Sequence, residues 1–162
     1  EKNPFDFELK YRPGEGINRF MAGTPPILAL KTIEPTVDML NEAGMVKIRK
    51  KSVSQSEYLL RLAEKFLYPL GFRSGSPVDP EKRGSHVSLR HPEAYRICKA
   101  LIDPEVGENV VIPDFREPDN IRLGITPLYT TYTEIFMAIR EISDIVENNL
   151  FLKYSGKREQ VT

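Results

Sequence analysis

Arg122 is the residue whose type and setting most favour binding chemistry in this sequence. Over residues 120–126, apolar residues alternate with Arg122, Gly124 and Thr126, a pattern that predicts a strand with one buried face. Gly124 and Thr126 are small, so they leave open space beside the guanidinium. An arginine in such a recess holds a carboxylate through two parallel hydrogen bonds, which a lysine cannot make. The alternative is a structural ion pair with one of the 23 acidic residues.

Thr24 is the second candidate, because its hydroxyl precedes a predicted helix. Threonine is a favourable N-cap, and Pro25 suits the first helical position. The hydroxyl would therefore contact a phosphate at the start of the helix. Pro25 and Pro26 lack the N–H groups that usually hold such an anion, so the hydroxyl would do most of the binding. Plain helix capping is the default expectation for Thr24, and the phosphate contact is the alternative to it.

The other residues with reactive side chains do not complete a catalytic set. His86 and His91 lie five residues apart, on opposite faces of one predicted strand, which argues against a shared metal ion. Cys98 lies on the apolar face of a predicted helix and is typical of a small core residue. The spacing of Asp114 and Glu117 does not by itself make a general acid and base. The residues alone therefore indicate one carboxylate site, no metal site and no catalytic residue.

The elements that must position these residues follow from periodicity, caps and breakers. They are, in order, a helix over 25–42 interrupted at Pro35, a helix over 45–67, a short strand from Phe72, a strand over 85–90, a helix over 93–102, strands over 110–112 and 120–126, and a helix over 131–149. This order predicts the α+β class: a long helical segment followed by a small sheet of three to four strands covered by helices.

Composition limits the classes of protein to which the chain belongs. Its 162 residues are 40% hydrophobic and 28% charged, which is typical of a soluble globular domain. Lysine plus arginine and aspartate plus glutamate both number 23, so no excess positive charge favours nucleic acid as a partner. No apolar run approaches the ~20 residues that cross a bilayer. The single cysteine favours a reducing, cytoplasmic compartment.

Four segments are expected along the chain. Residues 1–24 read as a loop that connects to an earlier part of the protein, since they contain prolines and glycines without periodicity; the resemblance given below implies that this earlier part is a large domain. Residues 25–67 form a helical arm, residues 68–154 a small α+β domain, and residues 155–162 a polar tail. A processed N-terminus is the alternative explanation for the first segment.

Three segments together resemble the kynureninases. They cover residues 19–27, 83–88 and 114–129, and they occur in the family's order with compatible separations. The resemblance extends from about residue 4 to residue 149. It implies a fold-type I pyridoxal-phosphate enzyme that works as a homodimer with its sites at the subunit interface.

The resemblance also implies an activity and two residue roles. Kynureninases hydrolyse L-kynurenine, and in some cases 3-hydroxykynurenine, to the aryl acid and L-alanine on the route from tryptophan to NAD. Arg122 resembles the arginine that binds the substrate α-carboxylate. Thr24 resembles the residue that contacts the cofactor phosphate from the neighbouring subunit. His86 belongs to a matching motif without an assigned role.

The family's cofactor-bearing lysine and its acidic partner for the pyridine nitrogen lie upstream of all matched segments. No lysine of this chain occupies that motif, so we expect the chain alone to be inactive and to expose apolar surface that self-associates. Two alternatives stay open at this point. One is another fold-type I branch, such as a cysteine desulfurase or class V aminotransferase, and the other is a free-standing binding module.

Overall fold

Prolines set the limits of the helices in the first part of the chain. The computed structural model describes residues 9–21 and 23–157, and the chain divides into the units Glu1–Gly44 and Met45–Thr162. In the first unit, a 3-10 helix at Gly16–Phe20 precedes helix α1 (Ile27–Lys31) and helix α2 (Glu34–Ala43).

The helix predicted over residues 25–42 is wrong at its start, whereas its predicted interruption at Pro35 is confirmed. Its start moves to Ile27, because a residue that precedes a proline avoids helical backbone angles, and Pro25 itself precedes Pro26. The chain also breaks between α1 and α2, just before Pro35, which occupies the first turn of α2. A proline is tolerated there because the first N–H groups of a helix have no intrahelical acceptor.

The second unit contains an antiparallel sheet of four strands in the order β1-β2-β4-β3. The strands are β1 (Arg73–Ser74), β2 (His86–Arg90), β3 (Asp114–Arg116) and β4 (Asn120–Gly124). Strand β4 lies in the interior of the sheet, between β2 and β3. The residue predicted to bind a carboxylate is therefore held by two neighbouring strands.

Three helices pack with this sheet: α3 (Met45–Phe66), α4 (Ala94–Ile102) and α5 (Tyr132–Glu147). Strand residues alternate between the two faces, and the apolar set faces the core. The largest fully buried apolar side chains are Leu59, Leu67, Val87, Leu89, Ile97, Leu101, Ile121, Ile139, Ile142 and Ile145. The predicted α+β class, a long helical segment followed by a small sheet covered by helices, is confirmed.

Local signals located the last helix correctly. Thr131 accepts a hydrogen bond from the Glu134 N–H, and the Glu134 carboxylate accepts one from the Thr131 N–H. This reciprocal capping box satisfies two N–H groups at the start of α5. The predicted boundary at residue 131 is therefore confirmed by its cap.

The strand predicted over residues 110–112 is wrong. Val111 donates its N–H to the Leu101 carbonyl at the end of α4, so this segment follows the helix instead of joining the sheet. The ladder forms four residues later, in β3, where Phe115 lies opposite Ile121 of β4.

The boundary between the two units falls after Gly44, and α3 belongs to the same unit as the sheet. The expected division into a loop, a helical arm, a small domain and a tail stays a prediction. Residues 1–8, 22 and 158–162 of that expectation lie outside the described part of the chain.

Candidate functional site

One face of the sheet is polar and carries Arg122. Directly opposed residues of an antiparallel pair share a face, and the register pairs Arg122 with Ser88 on one side and with Asp114 on the other. The same register adds the remaining members of what we call the polar face: Arg73, His86, Arg90, Arg116, Asn120 and Gly124. The predicted alternation of β4 is therefore confirmed.

Arg122 forms an ion pair with the residue opposite it on β3. Its Nη2 donates to Oδ2 of Asp114, and Arg116 Nε donates to the same oxygen at 3.1 Å. The side chains of Arg122 and Asp114 are 37% and 45% exposed, so the pair is open to solvent. The structural ion pair that the sequence left as an alternative thus exists, but it does not bury the guanidinium.

The charges of the cluster formed by Arg116, Arg122 and Asp114 do not cancel. Burial opposes ionisation of Asp114, but hydrogen bonds from Arg122 and Arg116 hold its pKa below its usual range, so the carboxylate is ionised at neutral pH. Two guanidinium groups then share one carboxylate, which leaves one positive charge. In the part of the chain that the structure describes, Arg122 donates its other N–H groups to no residue. The cluster can therefore accept a second carboxylate.

The space predicted beside Arg122 is present at Gly124. A Cβ atom added at Gly124 would meet nothing within 4 Å. Gly124 also lines a cleft of about 330 Å³ at the end of β4, but this cleft includes the core-facing residues Leu123 and Ile125, and Arg122 does not line it. The room for a small molecule held by Arg122 is therefore the open space at Gly124 itself.

On the opposite side of Arg122, a tight loop covers the polar face. Ser88 Oγ donates to Asn120 Oδ1 at 2.9 Å, and the Ser88 N–H donates to Ser76 Oγ at 2.8 Å. A Cβ atom at Gly75 would lie 2.9 Å from Asn120 Oδ1, so only glycine lets the loop approach this closely. The polar face is consequently closed near Ser88 and open near Gly124.

The segment 83–88 is one of the three motifs noted in the sequence, where no role was assigned to it. Its side chains connect the polar face to α3 through hydrogen bonds. Arg83 is 9% exposed and donates to Ser56 Oγ and to the carbonyl oxygens of Pro77 and Val78. Ser52 Oγ donates to Ser85 Oγ at 3.0 Å. These contacts fix the start of β2, where His86 emerges on the polar face. Sequence periodicity gave no signal for the contacts to α3, because Ser56 lies 27 residues from Arg83 and Ser52 lies 33 residues from Ser85 along the chain.

Thr24 lies in the first unit and does not cap a helix. Its side chain is exposed, and the N-cap of α1 is Pro26. Because Pro25 and Pro26 postpone the helix, the expectation that Thr24 is an N-cap is wrong. A phosphate contact at Thr24 stays a prediction, and it would rest on the hydroxyl alone.

Cys98 is confirmed as a core residue. Its side chain is 8% exposed, and burial raises the pKa of the thiol to about 12, so it stays protonated and a poor nucleophile. Within residues 9–21 and 23–157, no group of three His, Cys, Asp or Glu side chains is arranged to hold a metal ion. None of the helices in those residues has the length and apolar character that spanning a bilayer requires.

Comparison with known proteins gives one consistent family. Residues 48–142 match the family described as the kynureninase C-terminal domain. The chain is 39% identical to a kynureninase of Geobacillus thermodenitrificans over 157 residues, which are 97% of this chain and 36% of that protein. It is 38% identical to a kynureninase of Pseudomonas fluorescens over 143 residues, 88% of this chain and 33% of that protein. The chain thus spans about a third of the length of these relatives.

Proposed function

The chain belongs to the kynureninase family, and from this membership we propose that it provides the substrate-carboxylate contact of an enzyme that hydrolyses L-kynurenine. The products are anthranilate and L-alanine, and water supplies the oxygen of the new carboxylate. The observation that carries the proposal is the position of Arg122, between the Asp114 ion pair and the open space at Gly124.

Arg122 would bind the α-carboxylate while Asp114 holds its guanidinium in place. A guanidinium has five N–H donors in a fixed plane, and one of them is donated to Asp114. The remaining donors are enough for two parallel hydrogen bonds to a second carboxylate. Arg116 shares Asp114 with Arg122, so the excess positive charge favours an anionic headgroup. These residues would therefore orient the substrate.

Pyridoxal phosphate is the cofactor of the proposed activity, and it supplies the electron-withdrawing chemistry when bound. The described residues fit it only in part. Each described lysine is exposed or half-exposed, whereas a lysine that carries the cofactor needs an enclosed site. The hydroxyl of Thr24 is exposed and fits a contact to the phosphate. We therefore propose that the enzyme is a cytoplasmic homodimer and that Thr24 contacts the cofactor phosphate across the subunit interface. We also propose that the chain alone is inactive.

The test replaces Arg122 by lysine in the complete enzyme. Lysine keeps the positive charge but cannot make two parallel hydrogen bonds. We expect kcat/KM for L-kynurenine to fall on the order of 10- to 100-fold, mainly through KM, measured from the fluorescence of the anthranilate released.

The matched control is Arg73→Lys. Arg73 also lies on the polar face and pairs with an aspartate, Asp119, but its side chain is 67% exposed. We expect this variant to change kcat/KM less than about threefold, since exposed ion pairs contribute little. An equal loss of kcat/KM in both variants, or no loss in either, would show that Arg122 does not bind the substrate.

A further inference from the structure

The segment 83–88 contains one side chain for which the fold supplies no partner. Arg83, Ser85 and Ser88 form hydrogen bonds to neighbouring residues, and Val87 is fully buried in the core. His86 is exposed, and its side chain makes no hydrogen bond or ion pair among the residues that the structure describes. The strand that holds it is otherwise buried over the next three residues. The fold therefore fixes the backbone of His86 and leaves its imidazole available.

The position of His86 relative to Arg122 follows from the register. His86 lies directly opposite Gly124, and Arg122 is two residues from Gly124 on the same strand and face. Diagonal neighbours of this kind lie roughly 7–8 Å apart, within reach of long and aromatic side chains. Gly124 places no side chain between them. The imidazole and the guanidinium therefore border the same open space from two adjacent strands.

We propose that His86 is a second binding residue for the carboxylate held by Arg122. This inference rests on the proposed function, because it assumes that Arg122 binds the carboxylate of an amino acid. A carboxylate has two oxygens and about four acceptor positions. Arg122 approaches it from β4, and an imidazole N–H of His86 donates from β2. Contacts from two strands fix the orientation of the headgroup as well as its position.

The competing sites on the polar face do not offer this arrangement. Ser88, which lies opposite Arg122 itself, donates its hydroxyl to Asn120 and is 8% exposed beneath the Gly75 loop. Arg90 is paired with Asp119 at 2.8 Å. Of the residues that β2 contributes to this face, His86 is the one beside the open end of the site.

The experiment uses NMR of the full chain, which has only two histidines, His86 and His91. Their imidazole Hε1 resonances are assigned with the His86→Gln variant. The probe is L-alanine, and the control ligand is L-alaninamide, which lacks the carboxylate. We expect L-alanine to shift the His86 Hε1 and the Arg122 Nε–Hε resonances, while His91, 9% exposed, does not move. L-alaninamide should move neither resonance.

Two variants separate a binding contact from a structural effect. His86→Leu removes the donor and should weaken L-alanine binding roughly two- to tenfold, the loss expected for one hydrogen bond. His86→Gln keeps an N–H donor and should bind more tightly than His86→Leu. The amide spectra of both variants should superimpose on the unmodified chain away from β2.

The outcomes distinguish this proposal from the proposed function. If L-alanine moves the Arg122 resonance but not that of His86, or if His86→Leu binds as well as the unmodified chain, the His86 contact is refuted and the role of Arg122 stands. If L-alanine moves neither resonance, the carboxylate site itself fails, and the role of His86 fails with it. If His86→Leu does not fold, the ligand shifts of the unmodified chain and the affinity of His86→Gln decide the question.

Discussion

At the scale of single residues, burial favours the neutral form of His91, and hydrogen bonds set which ring nitrogen carries the proton. The Glu93 N–H donates to His91 Nδ1 at 3.1 Å, so that nitrogen carries no proton, and Nε2 lies 3.3 Å from the Leu70 carbonyl as the donor. The ring also stacks on Phe72 with centroids 4.5 Å apart. Burial lowers the pKa of His91, although the Leu70 carbonyl and the charge of Glu93 oppose this.

The lowered pKa of His91 predicts a pH dependence of stability. Below about pH 6.5, the usual value for histidine, the unfolded chain binds a proton that the folded chain resists, so acid favours unfolding. The stabilisation from neutral His91 is therefore complete above that pH and is lost as the pH falls through the lower folded pKa. We expect the free energy of unfolding, from urea titrations, to decrease between pH 7.5 and pH 5.5.

His91→Asn removes the titrating ring and keeps an acceptor near the Glu93 N–H. This variant should be less stable at pH 7.5 and should show a flatter dependence on pH. His86→Asn is the matched control, since His86 is exposed, and its slope should equal that of the unmodified chain. A His91→Asn chain with an unchanged slope would show that another group causes the effect.

At the scale of elements, a buried carboxylate joins the loop after α4 to α5. Glu141 of α5 is 5% exposed, and its Oε2 accepts hydrogen bonds from the Asn109 N–H at 3.0 Å and from Asn109 Nδ2 at 3.4 Å. Gly107 passes so close that an added Cβ would lie 1.6 Å from Glu141 Oε1. The loop can therefore reach Glu141 only because residue 107 has no side chain.

Gly107→Ala should destabilise the fold by about 1–3 kcal/mol, the usual cost of overpacking a buried site. Urea unfolding of the purified chain measures this cost. Gly156→Ala is the control, because its Cβ would meet its nearest atom, Arg96 Cδ, at 3.9 Å, and it should change stability by less than about 0.5 kcal/mol.

The same substitution in a Glu141→Ala background tests the cause. If the collision with Glu141 is responsible, Gly107→Ala should cost much less once that side chain is absent. An equal cost in both backgrounds would place the strain in the backbone of the loop instead.

At the scale of the whole molecule, the two units differ in the burial of their apolar side chains. The second unit contains one core cluster of buried apolar residues, whereas α1 and α2 contain no buried residue. The first unit and the first residues of α3 expose a series of large apolar side chains within residues 9–46: Leu9, Tyr11, Ile17, Phe20, Met21, Ile27, Leu28, Leu30, Ile33, Val37, Met39, Met45 and Val46. Exposed apolar surface of this extent favours association.

We therefore expect the chain to self-associate as its concentration rises. Sedimentation velocity should give a weight-average mass above that of a monomer. The double variant Leu28→Ser with Met39→Ser should weaken association on the order of tenfold or more, since each buried apolar side chain contributes about 1.5–3 kcal/mol.

Val78→Ser is the control for this comparison. Val78 is also 80% exposed, but it lies in the second unit, and its replacement should leave association unchanged. A compact monomer at high concentration would contradict the expectation from the exposed surface of residues 9–46.

The sequence by itself determined the features that depend on near neighbours. Alternation placed Arg122 and Gly124 on the polar face of β4, and the Thr131 capping box placed the start of α5, because a strand's two faces and a helix cap are set within a few residues. The motifs of residues 19–27, 83–88 and 114–129 indicated the family that the comparisons then gave. The two prolines at 25–26 delay the start of α1, so Thr24 does not reach the N-cap position that its residue type predicts.

Only the tertiary structure decided which groups meet. Asp114 became the partner of Arg122 because β3 forms at 114–116 and pairs with β4 in a particular register. His86 came to lie beside the open space of Gly124 through the register of β2 and β4. Such pairings depend on backbone hydrogen bonds between segments that are distant along the chain, and a shift of one residue would reverse every face. Carboxylate binding by Arg122 could therefore be predicted from the sequence, whereas the residues that surround Arg122 could not.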